Sequence, residues 1–387
     1  MVHKILSKPI KILIVVKSVD GGTGSFVLSL LKMTKLFGKK LIIKVFVLER
    51  PAYRSPTKFQ ASFFTNKKAY PNYYSFAPGN ITKFYQEFKW LRKKITQFKP
   101  QIVLSVDVHC NLLAILSKKL LFDRIKVVAT THIDLLETLS EKSSPLTKYL
   151  LKICIRFLYP KADILIGVSK GVTRDLQQNF GLAKSVITVN NGVFINKINQ
   201  KKIVTKLPEK ILITASRLEQ QKDNENLIKA FYFLQKNIPN VKLWILGEGS
   251  RRSKLEEFVK KLNLENNVTF FGWVNNIDKY LTQADLFILS SKREGLPYVL
   301  LEAMKYGLPI ISTNSPFGPS EVLDGGKYGL LVPVGNASAL NKSMYNLLIN
   351  RHLYNYYSKR SIERVRFFSE KKMLREYEKI FAKLVLE

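Results

Sequence analysis

The chain opens two parts of its sequence in the same way, and this repetition constrains its fold more than any other feature. The letters KILI begin at Lys11 and again at Lys210, and each time an apolar run leads through a polar loop into a helix pattern. Strands that alternate with helices predict a parallel sheet with crossover helices. At 387 residues the chain also has the length of two ordinary domains. We therefore predict an α/β protein with two Rossmann-like domains in tandem.

The stretch from Ala284 to Gly307 combines a predicted strand, a loop and a helix with two carboxylates. The loop carries Glu294, and Glu302 follows eight residues later on the predicted helix. Ligands of open α/β sheets bind at the carboxyl ends of the strands, where helix N-termini favour anions. Two carboxylates at this edge can accept hydrogen bonds from the hydroxyl groups of a sugar or ribose. The residues alone leave open a solvated Glu294 and a Glu302 that pairs with a lysine.

Three further strand ends carry residues suited to a phosphorylated ligand. Arg217 and Lys222 lie five residues apart around a strand-to-helix turn, where a guanidinium fork and an ammonium group suit a diphosphate. Gly247 and Gly249 allow a ligand to approach the next strand end closely. Gly22 lies in the first glycine turn, which is weak evidence by itself because many strand-to-helix turns are rich in glycine. Two solvated cations remain the alternative for Arg217 and Lys222.

Taken together, these strings resemble the retaining glycosyltransferases of glycosyltransferase family 4, also called group 1 glycosyl transferases. The similarity is carried by EGLPYVLLEAMKYGLPII from Glu294, which matches the E-x7-E signature of the family, by SRLEQQKD from Ser216 and by LGEGSRRSKLE from Leu246. It is strong over residues 210–340 and weak over residues 50–125, where the acceptor is expected to be recognised.

The resemblance implies the GT-B fold, in which two Rossmann-like domains turn their parallel sheets towards each other across a cleft. A C-terminal helix of such proteins crosses back to the first domain. On this basis we expect an acceptor-side domain over residues 1–197, a linker over 198–209 and a nucleotide-sugar-binding domain over 210–369. The helix of about 370–387 is then expected to pack on the first domain.

The resemblance also implies a role for each matched residue. His132, in the string TTH, corresponds to a histidine that faces the donor sugar, and Glu294 would hold sugar hydroxyls. Arg217 and Lys222 would bind the diphosphate, and Glu302 would accept hydrogen bonds from the ribose. The transfer would retain the anomeric configuration, with the leaving phosphate helping to take the acceptor proton. The expected catalytic residues are His132, Arg217, Lys222 and Glu294, and the expected substrate-binding residues are Gly22, Gly247, Gly249, Val274, Gly295, Leu296 and Glu302.

The sequence gives no sign of a metal or cofactor site. It contains no D-x-D pair, its four histidines show no ligand spacing, and Cys110 and Cys154 form no metal-binding pattern. We therefore expect no metal and no cofactor, since the nucleotide-sugar is a substrate.

The chain is strongly basic, with a formal net charge of +34. Residues 1–200 hold 33 Lys and Arg but only 10 Asp and Glu. A basic surface favours phosphorylated ligands, anionic lipid or nucleic acid, although genomic base composition also explains abundant lysine. The basic, aromatic residues 50–82 are interpreted as an acceptor-side or membrane-facing loop, with a partly buried strand and loop as the alternative. The amphipathic segments 83–99 and 146–160 suit either core packing or a membrane surface.

Because no apolar run has the length of a transmembrane helix and no signal-peptide core is present, we expect a cytoplasmic protein, peripheral on the inner face of the inner membrane. The expected reaction moves a sugar from a nucleotide-sugar donor, a UDP-linked hexose or N-acetylhexosamine, to a lipid-linked or polysaccharide acceptor of the cell envelope. The alternatives are a basic nucleic-acid-binding protein, although no recognised binding module and no nucleic-acid partner are expected, and a GT-B sugar-nucleotide epimerase or phosphorylase. The latter carry other residues in place of SRL-x3-KD and EGLP.

Overall fold

The computed structural model describes residues 9–19, 21–36, 41–48, 63–65, 81–121, 124–132, 145–182, 186–195 and 209–386. The chain separates into two compact units, the first formed by residues 1–191 and 371–387 and the second by residues 192–370. Apart from residues 63–65 and 81–82, the predicted loop over 50–82 lies outside the described residues. The predicted linker over 198–209 also lies outside them, except for Glu209.

The first unit is built on a parallel sheet with the strand order β3-β2-β1-β4-β5-β6-β7. The strands are β1 (Ile10–Val16), β2 (Leu41–Val47), β3 (Phe63–Thr65), β4 (Ile102–Val106), β5 (Lys126–Thr131), β6 (Ile164–Gly167) and β7 (Val186–Thr188). The helices between them are α1 (Gly21–Leu36), α2 (Ile81–Phe98), α3 (Asp107–Leu121), α4 (Pro145–Leu158) and α5 (Lys170–Phe180). Helix α5 is capped by Ser169, whose Oγ accepts a hydrogen bond from the backbone N–H of Val172 at 3.1 Å.

The second unit contains a parallel sheet with the order β10-β9-β8-β11-β12-β13. The strands are β8 (Lys210–Ala215), β9 (Val241–Leu246), β10 (Val268–Gly272), β11 (Leu286–Leu289), β12 (Ile310–Thr313) and β13 (Leu330–Val332). Its helices are α6 (Asn224–Asn237), α7 (Arg252–Lys261), α8 (Asp278–Leu281), α9 (Tyr298–Met304), α10 (Gly318–Val322), α11 (Ala337–Ile349) and α12 (Arg351–Val365). The last helix, α13 (Glu370–Leu386), belongs to the first unit from Lys371 onward.

Both sheets are covered on their two faces, and the burial of their strands shows this. Every residue of β4, β11 and β12 is buried. Their sequences IVLSV, LFIL and IIST are short and consist of apolar residues with a few Ser and Thr, which suits central parallel strands that are buried on both faces. In the first unit, Tyr377 and Phe381 of α13 are fully buried, and Tyr377 packs against Phe26 of α1 with ring centroids 5.6 Å apart. The predicted fold class, two Rossmann-like domains with a C-terminal helix that returns to the first, is confirmed.

No helix within the described ranges is both long enough and apolar enough to cross a membrane.

Candidate active site

The order of the second sheet reverses between β8 and β11, and this reversal joins the two loops that follow these strands. The backbone N–H of Lys292 donates to the carbonyl of Gln221 at 2.8 Å, and the Gln221 side chain donates to the carbonyl of Arg293 at 2.9 Å. Ser290 adds a bond from its hydroxyl to the carbonyl of Lys222 at 2.8 Å. Reversal points of this kind create the crevice in which open α/β sheets bind ligands.

Lys222 and Glu294, two of the predicted catalytic residues, form an ion pair at this junction. The Lys222 ammonium lies 2.6 Å from Oε1 of Glu294, and the Ser291 hydroxyl donates to the same oxygen at 2.6 Å. Their side chains are only 14% and 10% exposed. Shielding from water strengthens the attraction, and it also makes either charge costly if its partner is removed. The junction therefore offers a cation suited to a phosphate oxygen beside a carboxylate suited to hydroxyl groups.

The backbone that follows Glu294 is held in place by the loop that follows β12. Gly295 and Leu296 are both buried and lead through the extended Pro297 into α9. Glu294 forms an isolated parallel bridge with Phe317, in the loop that follows β12. Gly295 and Leu296, both expected to bind the substrate, thus lie directly beside the Lys222–Glu294 pair.

The loop that follows β9 contains Gly247 and Gly249, and these two glycines let it pack against the loop that carries Arg217. A Cβ placed on Gly247 would lie 1.9 Å from the carbonyl oxygen of Ser216, and one on Gly249 would lie 2.5 Å from that of Leu218. Gly247 also has a φ of +126°, which favours glycine. Arg217 lies between the two contacted carbonyls, with an exposed side chain. These glycines therefore position the Arg217 loop, a role that the sequence analysis did not assign to them.

Val274 follows the end of β10 and is partly buried. The strand end before it is tied to the glycine loop, because the N–H of Gly247 donates to the carbonyl of Gly272 at 2.8 Å. Val274, an expected substrate-binding residue, thus adjoins the loop of Gly247 and Gly249.

Glu302 lies on α9, in a cluster with Asp278, Lys305 and Tyr306. The pKa of Glu302 is raised to about 7, chiefly by burial, with an opposing effect of the Lys305 ammonium and a smaller contribution from the Asp278 carboxylate. The Lys305 ammonium itself pairs with Asp278 at 3.0 Å. A carboxyl group with a pKa near neutrality can accept a hydrogen bond from a hydroxyl, or donate one when protonated.

His132, the predicted sugar contact in the first unit, follows β5 and lies in a largely apolar setting. Its backbone N–H donates to Oδ1 of Asp107 at 3.1 Å, its Nε2 lies 3.2 Å from Oγ1 of Thr130, and its ring centroid lies 4.5 Å from that of Phe26. Burial lowers the pKa of His132 to about 3. The imidazole is therefore neutral at physiological pH, and it can act as a hydrogen-bond partner but not as a cation.

Gly22 lies exposed in the first turn of α1. The same helix carries Phe26, which contacts both His132 and Tyr377. The helix that begins at the glycine turn therefore also supports the His132 ring.

The structure adds supporting residues that sequence reasoning did not assign to the site. Ser291 bonds Glu294, Asp278 raises the pKa of Glu302, and Asp107 holds the backbone of His132. The signal for Asp107 was its place at a strand end, whereas the other two contacts depend on the sheet order and the helix packing. His109, next to that strand end, instead lies 2.6 Å from Glu87 of α2.

Within the part of the chain that the structure describes, no three His, Cys, Asp or Glu residues are grouped in a way that could hold a metal ion.

Two family models match the two halves of the chain. The model for glycosyl transferases group 1 matches residues 196–364, and the model for Glycosyltransferase Family 4 matches residues 39–197. The first matched region contains the predicted site residues from Arg217 to Glu302, and the second contains His132.

Named relatives lead to the same assignment. N-acetylgalactosamine-N,N'-diacetylbacillosaminyl-diphospho-undecaprenol 4-alpha-N-acetylgalactosaminyltransferase of Campylobacter jejuni is 32% identical over 58% of this chain, but the match spans only 61% of that protein. N-acetyl-alpha-D-glucosaminyl L-malate synthase of Bacillus anthracis is 30% identical over 69% of this chain and 70% of that protein. The structure of Anabaena HepE in complex with UDP has a TM-score of 0.71 and 18% identity, and it covers 97% of this chain and 100% of HepE. With its two Rossmann-like units and these matches, the chain belongs to the GT-B glycosyltransferases, and its second half is of the group 1 type.

Proposed function

We propose that the protein transfers a hexose or N-acetylhexosamine from a UDP-sugar to a lipid-linked or glycan acceptor in cell-envelope synthesis, with retention of configuration. The observation that carries this proposal is the shielded Lys222–Glu294 pair, which sets a phosphate-binding cation beside a hydroxyl-binding carboxylate. In this assignment Glu294 and the backbone of Gly295 and Leu296 bind the hydroxyl groups of the sugar. Glu302 accepts hydrogen bonds from the ribose hydroxyls.

The diphosphate is assigned to Arg217 and Lys222. When the bond between the anomeric carbon and the diphosphate oxygen breaks, negative charge develops on that oxygen, and fixed cations stabilise it without reorganising. An acceptor oxygen then bonds to the anomeric carbon on the same face, and its proton passes to the departing diphosphate. On this proposal two protein cations serve where other transferases use a metal ion. His132, which is neutral, contributes a hydrogen bond to the sugar.

The names of the relatives support the proposed donor and acceptor. The HepE structure contains UDP, and the Campylobacter relative is named as an N-acetylgalactosaminyltransferase that acts on a diphospho-undecaprenol glycan. A lipid-linked acceptor would bring the protein to the cytoplasmic face of the inner membrane as a peripheral protein. The basic first 200 residues support this location because that face is anionic. The relatives do not favour a nucleic-acid-binding protein, an epimerase or a phosphorylase.

The test is a binding titration of the full chain with UDP-, GDP- and ADP-sugars, each with and without EDTA. We expect saturable binding of one UDP-hexose or UDP-N-acetylhexosamine that EDTA does not change. Arg217→Ala and Glu302→Gln should each abolish this binding. Arg351→Ala and Glu257→Gln, which change exposed residues of the same unit by the same chemistry, should bind like the wild type.

Other outcomes would correct specific parts of the proposal. Binding of a GDP- or ADP-sugar instead would replace the assigned donor, and loss of binding in EDTA would refute metal independence. A product with inverted anomeric configuration by NMR would refute the retaining mechanism. Failure to bind any donor would refute the assignment of this junction as the donor site.

A further inference from the structure

Helix α4, Pro145–Leu158, turns a row of large apolar side chains towards solvent. Leu146, Tyr149, Leu150 and Phe157 are 66%, 64%, 52% and 68% exposed. The helix is anchored through its other side, where Leu151 and Ile155 are buried. The helix is therefore apolar on both sides, whereas a surface helix normally has a polar outer face.

These four exposed residues and the partly buried Ile153 form one continuous face, which we name the α4 ridge: Leu146, Tyr149, Leu150, Ile153 and Phe157. Residues three and four positions apart are neighbours on a helix, and the ridge follows such spacings from Leu146 to Phe157. Single exposed apolar residues are common on soluble proteins, but contiguous groups mark interaction sites. The ridge is thus a binding surface for an apolar partner.

Basic residues border the ridge along one side. Lys148, Lys152 and Arg156 follow at intervals of four, so they form a single stripe, and the α4 sequence PLTKYLLKICIRFL contains no acidic residue. Lys152 and Arg156 are exposed. A helix with an apolar face, an aromatic residue and flanking cations fits the interface of an anionic membrane, where acyl chains meet phosphate headgroups.

The charge also distinguishes a membrane from a second copy of the chain. In a two-fold symmetric dimer the same surface meets itself, so the cations of one copy would meet an α4 that is also basic and offers no acidic side chain. The surrounding sequence does not compensate for this charge, because residues 1–200 hold 33 basic and 10 acidic side chains. Anionic lipid is the partner that satisfies both the apolar ridge and the cations.

We propose that the α4 ridge docks the protein on the anionic surface of a lipid bilayer. The ridge side chains enter the headgroup region, and the Lys152–Arg156 side of the helix binds lipid phosphates. The inference rests on the proposed function only in that a lipid-linked acceptor would explain why the protein needs a membrane. The docking itself requires neither a donor nor turnover.

The first experiment removes apolar area. The full-length variant Leu150→Ser/Phe157→Ser is sedimented with vesicles of phosphatidylglycerol and phosphatidylcholine at physiological salt. Loss of two ridge side chains should lower the partition coefficient by about tenfold or more. The matched control is Phe233→Ser/Ile349→Ser, which removes an aromatic and an aliphatic side chain of similar exposure, 48% and 58%, from the second unit. This control should bind vesicles like the wild type.

The second experiment removes charge and leaves the ridge intact. Lys152→Gln/Arg156→Gln should lower binding to the same vesicles by about 25-fold, since each cation near an anionic surface contributes about fivefold. Lys254→Gln/Lys260→Gln removes two exposed cations from α7 and should have little effect. Vesicles of phosphatidylcholine alone should bind the wild type weakly.

Two results would overturn the inference. One is vesicle binding by the α4 variants that equals that of the wild type. The other is a dimer in sedimentation velocity that the ridge substitutions dissociate while vesicle binding is unchanged, because the occupant of the ridge would then be a second copy. UDP-sugar titrations separate this inference from the proposed function. Wild-type protein that binds vesicles through α4 but binds no nucleotide-sugar would support the docking surface and refute the donor site.

Discussion

Glu302 in the second unit and His132 in the first unit are both partly buried, and burial of the titrating groups moves their pKa values in opposite directions. The pKa of Glu302 rises to about 7, and that of His132 falls to about 3. The cause is the same in both cases, because a low-dielectric environment disfavours the charged form of either group. Burial thus favours an uncharged carboxyl group in one unit and keeps the imidazole uncharged in the other.

The two residues also differ in the charge of their neighbours. Glu302 lies in a cluster with the ion pair of Asp278 and Lys305, and the second unit also holds the Lys222–Glu294 pair, whereas the His132 ring lies against Phe26. A region that holds charged groups can bind a charged ligand portion, and an aromatic, neutral region suits hydrogen bonds and apolar contact. On the proposed function, the diphosphate belongs to the second unit and the contact from His132 is electrically neutral.

The largest expected effect comes from breaking the charged pair. Lys222→Met should lower kcat/KM for sugar transfer by about 1000-fold, because it removes a fixed cation from the leaving diphosphate. It should also lower the free energy of unfolding by about 3 kcal/mol, because Glu294 is left shielded without its cation. Transfer assays and urea unfolding measure the two losses separately.

Lys229→Met is the matched control for this change. Lys229 pairs with Glu225 at 3.5 Å on the exposed side of α6, where the side chains are 52% and 41% exposed. Its loss should change stability by less than about 1 kcal/mol and leave transfer unaffected. The double variant Lys222→Met/Glu294→Gln should regain much of the lost stability but none of the activity. An inactive double variant as unstable as Lys222→Met would show that the pair does not account for the loss.

The second prediction concerns acid stability of the first unit. The pKa of His132 is lower in the folded chain than the ordinary 6.5, so the unfolded chain binds the proton first and stability falls as pH decreases from 6.5 towards 3. Between pH 7 and pH 4 this residue should cost about 3 kcal/mol. When His132→Gln is unfolded in urea at both pH values, its free energy of unfolding should fall by about 3 kcal/mol less than that of the wild type. An equal acid loss in wild type and variant would mean that the ring is protonated without penalty.

The third prediction concerns Glu302, which should lower stability as pH rises, whereas His132 lowers it as pH falls. Because the folded pKa of Glu302 is raised from 4.5 to about 7, the folded chain retains a proton that the unfolded chain has lost, and stability falls as pH increases through this window. The cost between pH 5 and pH 8 should be about 2 kcal/mol. Glu302→Gln should therefore be more stable relative to the wild type at pH 8 than at pH 5. The exposed Glu257→Gln serves as the control, and it should show no such difference.

The sequence was sufficient to predict which residues stand at strand ends, because each strand-loop-helix pattern places a loop at the carboxyl edge of a sheet. It predicted Lys222 after β8 and Glu294 after β11 in this way. That the two side chains touch depends on β8 and β11 being neighbours in the sheet. This is a long-range pairing that local patterns do not specify. The steric contacts of Gly247 and Gly249 with the adjacent loop depend on the sheet order in the same way.

The outward face of α4 could not be predicted, for a different reason. Leu150 and Leu151 are adjacent, yet one is 52% exposed and the other 5%. Periodicity identifies the inward side of a helix only when the other side is polar, and here both sides are apolar. The raised pKa of Glu302 was equally hidden, because it arises from burial and from Asp278, which is 24 positions earlier in the chain.

The smallest expected effect tests whether the first unit relies on hydrogen-bond geometry and not on charge. Asp107 has a φ of +66° and accepts the N–H of His132 through one carboxylate oxygen. Asparagine tolerates the same φ and keeps an acceptor oxygen, so Asp107→Asn should cost only about 0.5 kcal/mol of unfolding free energy. Asp107→Ala loses both properties and should cost about 2 kcal/mol. Urea unfolding of the two variants at pH 7 makes the comparison. If Asn were as damaging as Ala, the charge of Asp107 would be the essential property. The contrast between the ion-paired site of Lys222 and Glu294 and the uncharged surroundings of the His132 ring would then fail at this position.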